Sequence, residues 1–169
     1  MTTNSRLVDA SPAQVWEVLS DGWLFPVWVV GAARMREVTA DWPNVGAKLH
    51  HSVGMWPLML DDDTEVLDSS TDRRLKLKAR AFPAGAAEVE ISLAAEGVQT
   101  RITINEKVVD GPAKLMPPPV EAAAMKWRNT ETLRRLAYNG SLVVTKNGQS
   151  TTQTSDNDWI SLDNESDDL

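Results

Sequence analysis

The sequence contains no cysteine. Disulfides, thiolate metal sites and thiol nucleophiles are thereby excluded, and an intracellular, cytoplasmic setting is the expectation. Histidine is almost as scarce, with only His50 and His51. Neighbouring residues on a strand point to opposite faces, so this pair cannot chelate one ion, and no metal or cofactor is expected. No apolar run reaches the roughly 18 residues needed to cross a bilayer. The opening MTTNSRLVDASP lacks a basic segment followed by an apolar one, so the chain reads as soluble and untargeted, with no integral membrane segment. Bases are in deficit, 17 against 24 acids, and the net charge of -7 argues against a nucleic-acid partner. A Gly-rich phosphate loop, a nucleophile elbow and an HExxH helix are also missing, which disfavours the enzyme classes built on them.

At 169 residues the chain has the size of one domain able to bury its own core. Its charge is unevenly spread. From Ser141 onward stand six acids (Asp156, Asp158, Asp163, Glu165, Asp167, Asp168) and one base, Lys146, so this segment holds five of the seven net negative charges. It is rich in Ser, Thr, Asn and Asp, with too little apolar area to offset the entropy of ordering it. Residues 1–140 therefore read as the folded domain and 141–169 as a disordered acidic tail. Its apolar islands, Leu142–Val144 and Trp159–Leu162, are suited to docking on a protein partner or a sheet edge.

Residues Thr3 to Asp9 supply a short strand that runs into a helix start, where Ser11 caps, Pro12 takes the first helical position and Gln14 completes a capping box. Asp21 to Phe25 reads as a second helical turn stopped by Pro26. After Trp28 the texture becomes apolar–polar alternation broken by turn signals, the mark of an antiparallel sheet with one buried face. Strands are predicted near 34–41, 47–54, 60–68, 73–82, 86–96 and 98–109. Leu75, Leu77, Ala79 and Ala81 share one face of their strand, Val89, Ile91 and Leu93 one face of the next. Val98, Thr100, Ile102 and Ile104 continue inward to Glu106. Gly111-Pro112 ends the sheet. A long helix follows from about Val120 to Tyr138, with Gly140 closing it. Val120, Ala123, Ala124, Trp127, Leu133, Leu136 and Ala137 are its expected apolar side, with Lys126, Arg128, Arg134 and Arg135 in water.

Strand, helix pair, six antiparallel strands and a long final helix make an α+β chain with a curved six- to seven-stranded sheet around a C-terminal helix. Ser11–Trp16 with Leu19-Ser20-Asp21, Trp28-Val29, Gly46 with His50, Gly54 with Trp56-Pro57-Leu58, Asp63–Leu67, Thr100–Ile104 with Glu106, Gly111-Pro112 and Asn129–Leu136 follow in an order that resembles the START-related helix-grip (SRPBCC) superfamily. Within it they look like the polyketide cyclase/dehydrase and lipid-transport branch. The resemblance spans about residues 3–138. It implies a cavity between helix and sheet for a hydrophobic, lipid- or polyketide-like ligand, but not one particular reaction.

Glu106 is the first candidate, because parity with Ile102 and Ile104 turns its carboxylate inward, where it could act as general acid or base or hold a ligand hydroxyl. The competing reading pairs it with backbone amides or with an arginine such as Arg80 or Arg128. His51 shares the face of Leu49 and is either a catalytic imidazole or a satisfied structural histidine. The inward positions Val53, Leu77, Ile91, Ile102 and Ile104 are expected to wall the cavity. Trp28, Trp56 and Trp127, three of seven tryptophans, are expected at its mouth, with ordinary core packing as the alternative. Asn129 could present its amide to a ligand or lie on the surface. Asp61-Asp62-Asp63 with Glu65 lacks calcium-loop spacing and reads as a solvated strand entrance. Three functions follow: a hydrophobic-ligand binder, a cyclase/dehydratase-type enzyme using Glu106 or His51, or an interaction module using the acidic tail.

Overall fold

A computed structural model describes residues 1–55, 58–81, 85–112 and 118–149. The elements are β1 (Thr2–Val8), α1 (Pro12–Ser20), a 3-10 turn (Gly22–Leu24), α2 (Phe25–Trp28), β2 (Ala32–Val38), β3 (Lys48–Met55), β4 (Leu58–Ser70), β5 (Arg74–Ala81), β6 (Gly85–Glu96), β7 (Gln99–Asp110) and α3 (Pro118–Gln149). Seven strands form one antiparallel sheet in the order β1-β7-β6-β5-β4-β3-β2, so β1 and β2 are its edges. The fold is α+β, as the alternation predicts.

The capping box forms as read. Ser11 Oγ accepts from the Gln14 backbone amide at 3.4 Å, and Gln14 Oε1 accepts from the Ser11 amide at 2.8 Å. Pro26, however, lies in the first turn of α2 instead of ending a helix, because a first-turn residue has no intrahelical partner for its N–H and a proline there loses nothing. Val98 is not on the inner face. Glu96 pairs with Gln99, leaving Gly97 (φ 64°) and Val98 as a two-residue hairpin loop, with Val98 91% exposed.

Cross-strand register explains where the core is solid. One inward row joins Leu75, Ile91 and Ile104, the next Leu77, Val89 and Glu106, and a third Ala79, Ala87 and Val108. Side chains shrink along these rows, so the sheet is packed full at the end near α1 and thin at the other. Ile91, Ile102, Ile104, Leu75 and Leu77 are all buried with Val15, Leu19, Leu133 and Leu136, each worth about 1.5–3 kcal/mol relative to exposure.

The α3 helix departs from its predicted form in length and, over its first half, in rotation, while Leu133, Leu136 and Ala137 are buried as predicted. It runs past Gly140 to Gln149. Gly140 is buried against α1, where a Cβ would lie at ordinary contact distance, 3.5 Å from Val15 Cγ2 and 3.9 Å from Ala10 Cβ, so it is an interior helical residue and does not terminate α3. The buried stripe is Met125, Asn129, Thr132, Leu133, Leu136, Ala137 and Gly140, whereas Ala123, Ala124 and Trp127 are exposed. Asn4 Nδ2 fastens the helix to β1 by donating to the Lys126 carbonyl and to Thr130 Oγ1. No helix among the described residues is long and apolar enough to cross a membrane.

Candidate functional site

The thin end of the sheet leaves a hollow of about 430 Å³ beneath the first half of α3. Ala79 on β5 and Ala87 on β6 form its floor, Ala124 and Trp127 its helical side, and Phe25, Val29 and Val53 its remaining apolar wall. It exists because alanines stand where larger residues stand in the neighbouring rows. The volume is in the range of small-molecule sites.

Four ionisable side chains also line it, Glu106, His51, Arg80 and Arg128. The β7 alternation buries Glu106 to 1% exposure. Its Oε1 accepts from Arg128 Nη2, one turn before the buried Thr132 on α3, while Oε2 is buried without a hydrogen-bond partner among the described residues. Arg128, expected in water, is therefore drawn back onto the site. Its guanidinium remains partly hydrated, which lowers the cost of pairing with an interior carboxylate.

His51 is 3% exposed. Its Nε2 shares a 3.0 Å hydrogen bond with Thr64 Oγ1, and its ring lies 5.1 Å from that of Phe25. Nδ1 has no partner of good geometry among the described residues. Burial holds the imidazole below its ordinary value of 6.5, and the Arg36 guanidinium adds to that shift, against weaker upward pulls led by Asp63. His51 is thus neutral near pH 7. Above 6.5 it is neutral in both folded and unfolded chains and contributes nothing to pH dependence. Below 6.5 the unfolded chain takes up a proton that the folded protein resists, so stability falls as pH drops towards the depressed folded value. In urea unfolding between about pH 8 and about pH 5, His51→Asn should lose less stability than the wild type; parallel losses would mean the imidazole is not held neutral.

The remaining predicted residues divide clearly. Val53 and Trp127 line the hollow, with Trp127 69% exposed at its rim. Leu77, Ile91, Ile102 and Ile104 lie in the packed core and are not part of its wall, because they belong to the rows already filled by large neighbours. Trp28 is buried edge-on against Phe25, 5.2 Å between ring centroids, with its Nε1 unpartnered among the described residues. Asn129 is 3% exposed, inside rather than on the surface, and its Nδ2 likewise lacks a partner among those residues. Trp56 lies outside the described residues. Arg128 pairs with Glu106, as the competing reading of that carboxylate has it, and Ala79 lies on the inward face predicted for its strand, while Phe25, Thr64 and Ala87 escaped the sequence reading. So did Asp62, which is 5% exposed and pairs in register with His51, so it is not solvated. Its parity with Thr64 and Val66 was the available signal.

A bent antiparallel sheet closed by one long helix over a partly open apolar hollow is the helix-grip architecture. The model of the family described as polyketide cyclase/dehydrase and lipid transport matches residues 2–139, and the chain belongs to that family. Among solved structures it is similar to protein NE0264 from Nitrosomonas europaea, at 15% identity and a TM-score of 0.64, covering 87% of this chain and 95% of that one. It is similar to the di-domain ARO/CYC StfQ from the steffimycin biosynthetic pathway, at 8% identity and a TM-score of 0.67, covering 85% of this chain and 51% of that one. DynU16, a protein from the dynemicin biosynthetic locus, is 22% identical with a TM-score of 0.59, over 81% of this chain and 45% of that one. At these identities the likeness is one of fold. No curated protein matches the sequence.

Proposed function

We propose that this protein binds a hydrophobic or amphipathic small molecule, lipid- or polyketide-like, between the sheet and the first half of α3. The observation that carries the reading is the 430 Å³ hollow, with apolar walls and one buried carboxylate that keeps an unpartnered oxygen. Burial of the ligand's carbon skeleton supplies most of the affinity, at about 25 cal/mol per Å² of apolar surface. Glu106 Oε2 supplies orientation by accepting from a ligand hydroxyl. An unpartnered polar atom in an apolar interior costs about 1–3 kcal/mol, so a ligand donor there gains discrimination as well as binding.

A second reading has its own support. A neutral imidazole and an arginine-held carboxylate share one cavity, which suits proton transfer to or from a bound carbonyl compound, as in a cyclase or dehydratase. The structural neighbours from the steffimycin biosynthetic pathway and the dynemicin biosynthetic locus are consistent with it, although they resemble this chain in fold only. One experiment separates the readings. Native mass spectrometry of the full chain purified from its own source is expected to retain a small molecule, and Glu106→Gln is expected to weaken its retention under the carrier reading and to spare it under the enzyme reading. If Glu106→Gln retains the ligand while abolishing conversion of it, the enzyme reading holds; if the wild type never alters the ligand, the carrier reading holds. A wild type that carries nothing and takes up no apolar probe would overturn both.

A further inference from the structure

A second concavity, larger than the ligand hollow, lies farther along α3, beside its second half. It has a volume of about 650 Å³ and runs between the free edge of β1, α2 and the second half of α3. Its apolar surface comes from Leu7, Val27 and Tyr138, which are 39%, 45% and 66% exposed. Its charge comes from Arg6, Arg134 and Arg135. Glu131 accepts from Arg134 at 2.7 Å and from Arg135 at 2.9 Å, and Asp9 lines the end, so three guanidiniums face two carboxylates and the groove stays net positive. Large exposed apolar side chains rimmed by polar and charged residues are the mark of a docking surface.

We propose that the occupant is the protein's own C-terminal segment, residues 158–168. That stretch offers the complementary pattern: Trp159, Ile160 and Leu162 as an apolar cluster, then Asp163, Glu165, Asp167 and Asp168, with no base after Lys146. Length and direction fit as well. α3 ends at Gln149. The eleven residues of helix from Tyr138 to Gln149 rise about 16 Å, and the ten residues from Gln149 to Trp159 span up to roughly 33 Å when extended. The chain can therefore turn back along the helix and bring Trp159 beside Tyr138. The acids after it then lie over Arg134, Arg135 and Arg6 in the order the sequence requires. The family match stops at residue 139, so this strap is an addition of this chain to a shared domain.

Absence of cysteine makes the test clean. Two double variants, Tyr138→Cys with Ile160→Cys and Val27→Cys with Ile160→Cys, are oxidised in the full chain. They are compared with Val45→Cys plus Ile160→Cys, Val45 being 63% exposed in the β2–β3 turn by the opposite sheet edge. The proposal predicts monomeric disulfides forming at least about tenfold faster at the groove than at Val45, whose rate reports tethering alone. Arg6→Glu with Arg134→Glu, or about 1 M salt, should remove most of that advantage. Two groove positions are used because Tyr138→Cys itself trims the apolar surface. Equal rates at all three sites, or an advantage indifferent to charge reversal, would overturn the strap. So would cross-links found only in dimers, which would assign the groove to a second copy.

Discussion

Replacing Arg128 with methionine is expected to lower the free energy of unfolding by about 2–3 kcal/mol near neutral pH. The loss exceeds that of an exposed ion pair, which is worth about 0–1 kcal/mol. The reason is the asymmetry of the pair. Glu106 is 1% exposed, so its carboxylate cannot turn to water once its partner is gone, whereas the Arg128 side chain is 40% exposed. Removing one member of a fully buried pair costs about 3–5 kcal/mol, and the hydrated guanidinium puts this pair below that range. Glu106→Gln should cost less, about 1 kcal/mol, because the amide oxygen still accepts from Arg128 and no interior charge is left alone. The double variant should therefore be more stable than Arg128→Met alone, with a coupling energy of about 1–2 kcal/mol in a double-mutant cycle by urea unfolding. A loss below about 0.5 kcal/mol for Arg128→Met would mean that the contact is a surface ion pair. Apolar replacement of both partners would leave the stability and remove the polar anchor, which is the sense in which this pair belongs to the site and not to the core.

The same pair marks the limit of what the sequence discloses. Strand parity suffices to turn Glu106 inward, since side chains alternate strictly and Ile102 and Ile104 fix the phase. Helix phase is weaker evidence. The apolar residues Ala123, Ala124 and Trp127 point hydrophobic periodicity at one face of α3, yet the buried stripe includes the polar Asn129 and Thr132, about 160° of rotation away. That phase sends Arg128 to solvent, whereas strand parity at Glu106 already offers Arg128 beside Arg80 as a partner for the inward carboxylate, and the fold selects Arg128. A comparable misreading befell the three consecutive aspartates: charge composition says solvated, whereas alternation alone buries the middle one. The hollow was legible as an expectation from resemblance and not as a location. Its position is set by which rows of the sheet carry alanine, and rows exist only once register is known. Ala79 and Ala87 look like weak strand residues until the pairing sets them side by side.

That alanine floor gives the sharpest functional prediction. Ala87→Phe places a ring in a 430 Å³ space bounded by Trp127 and Phe25, and a ligand must give up the volume the ring takes. Displacing two or three buried carbons at about 0.8 kcal/mol each amounts to roughly 2 kcal/mol, so the Kd of a neutral fluorescent probe such as N-phenyl-1-naphthylamine should rise about tenfold to a hundredfold. Stability should change little, by under about 1 kcal/mol, because the ring fills existing space and does not force apart a packed contact. The combination is diagnostic. A core position such as Ile91, 0% exposed, would lose stability by about 2–5 kcal/mol on conversion to alanine, and binding would fall with the fold. Ala94→Phe, at an exposed position farther along β6, serves as the control and should leave probe affinity unchanged. Fluorescence titration beside urea unfolding reads both quantities on the same samples. Wild-type affinity in Ala87→Phe would mean that the probe sits elsewhere, and the outer groove beside Tyr138 would be the first place to look.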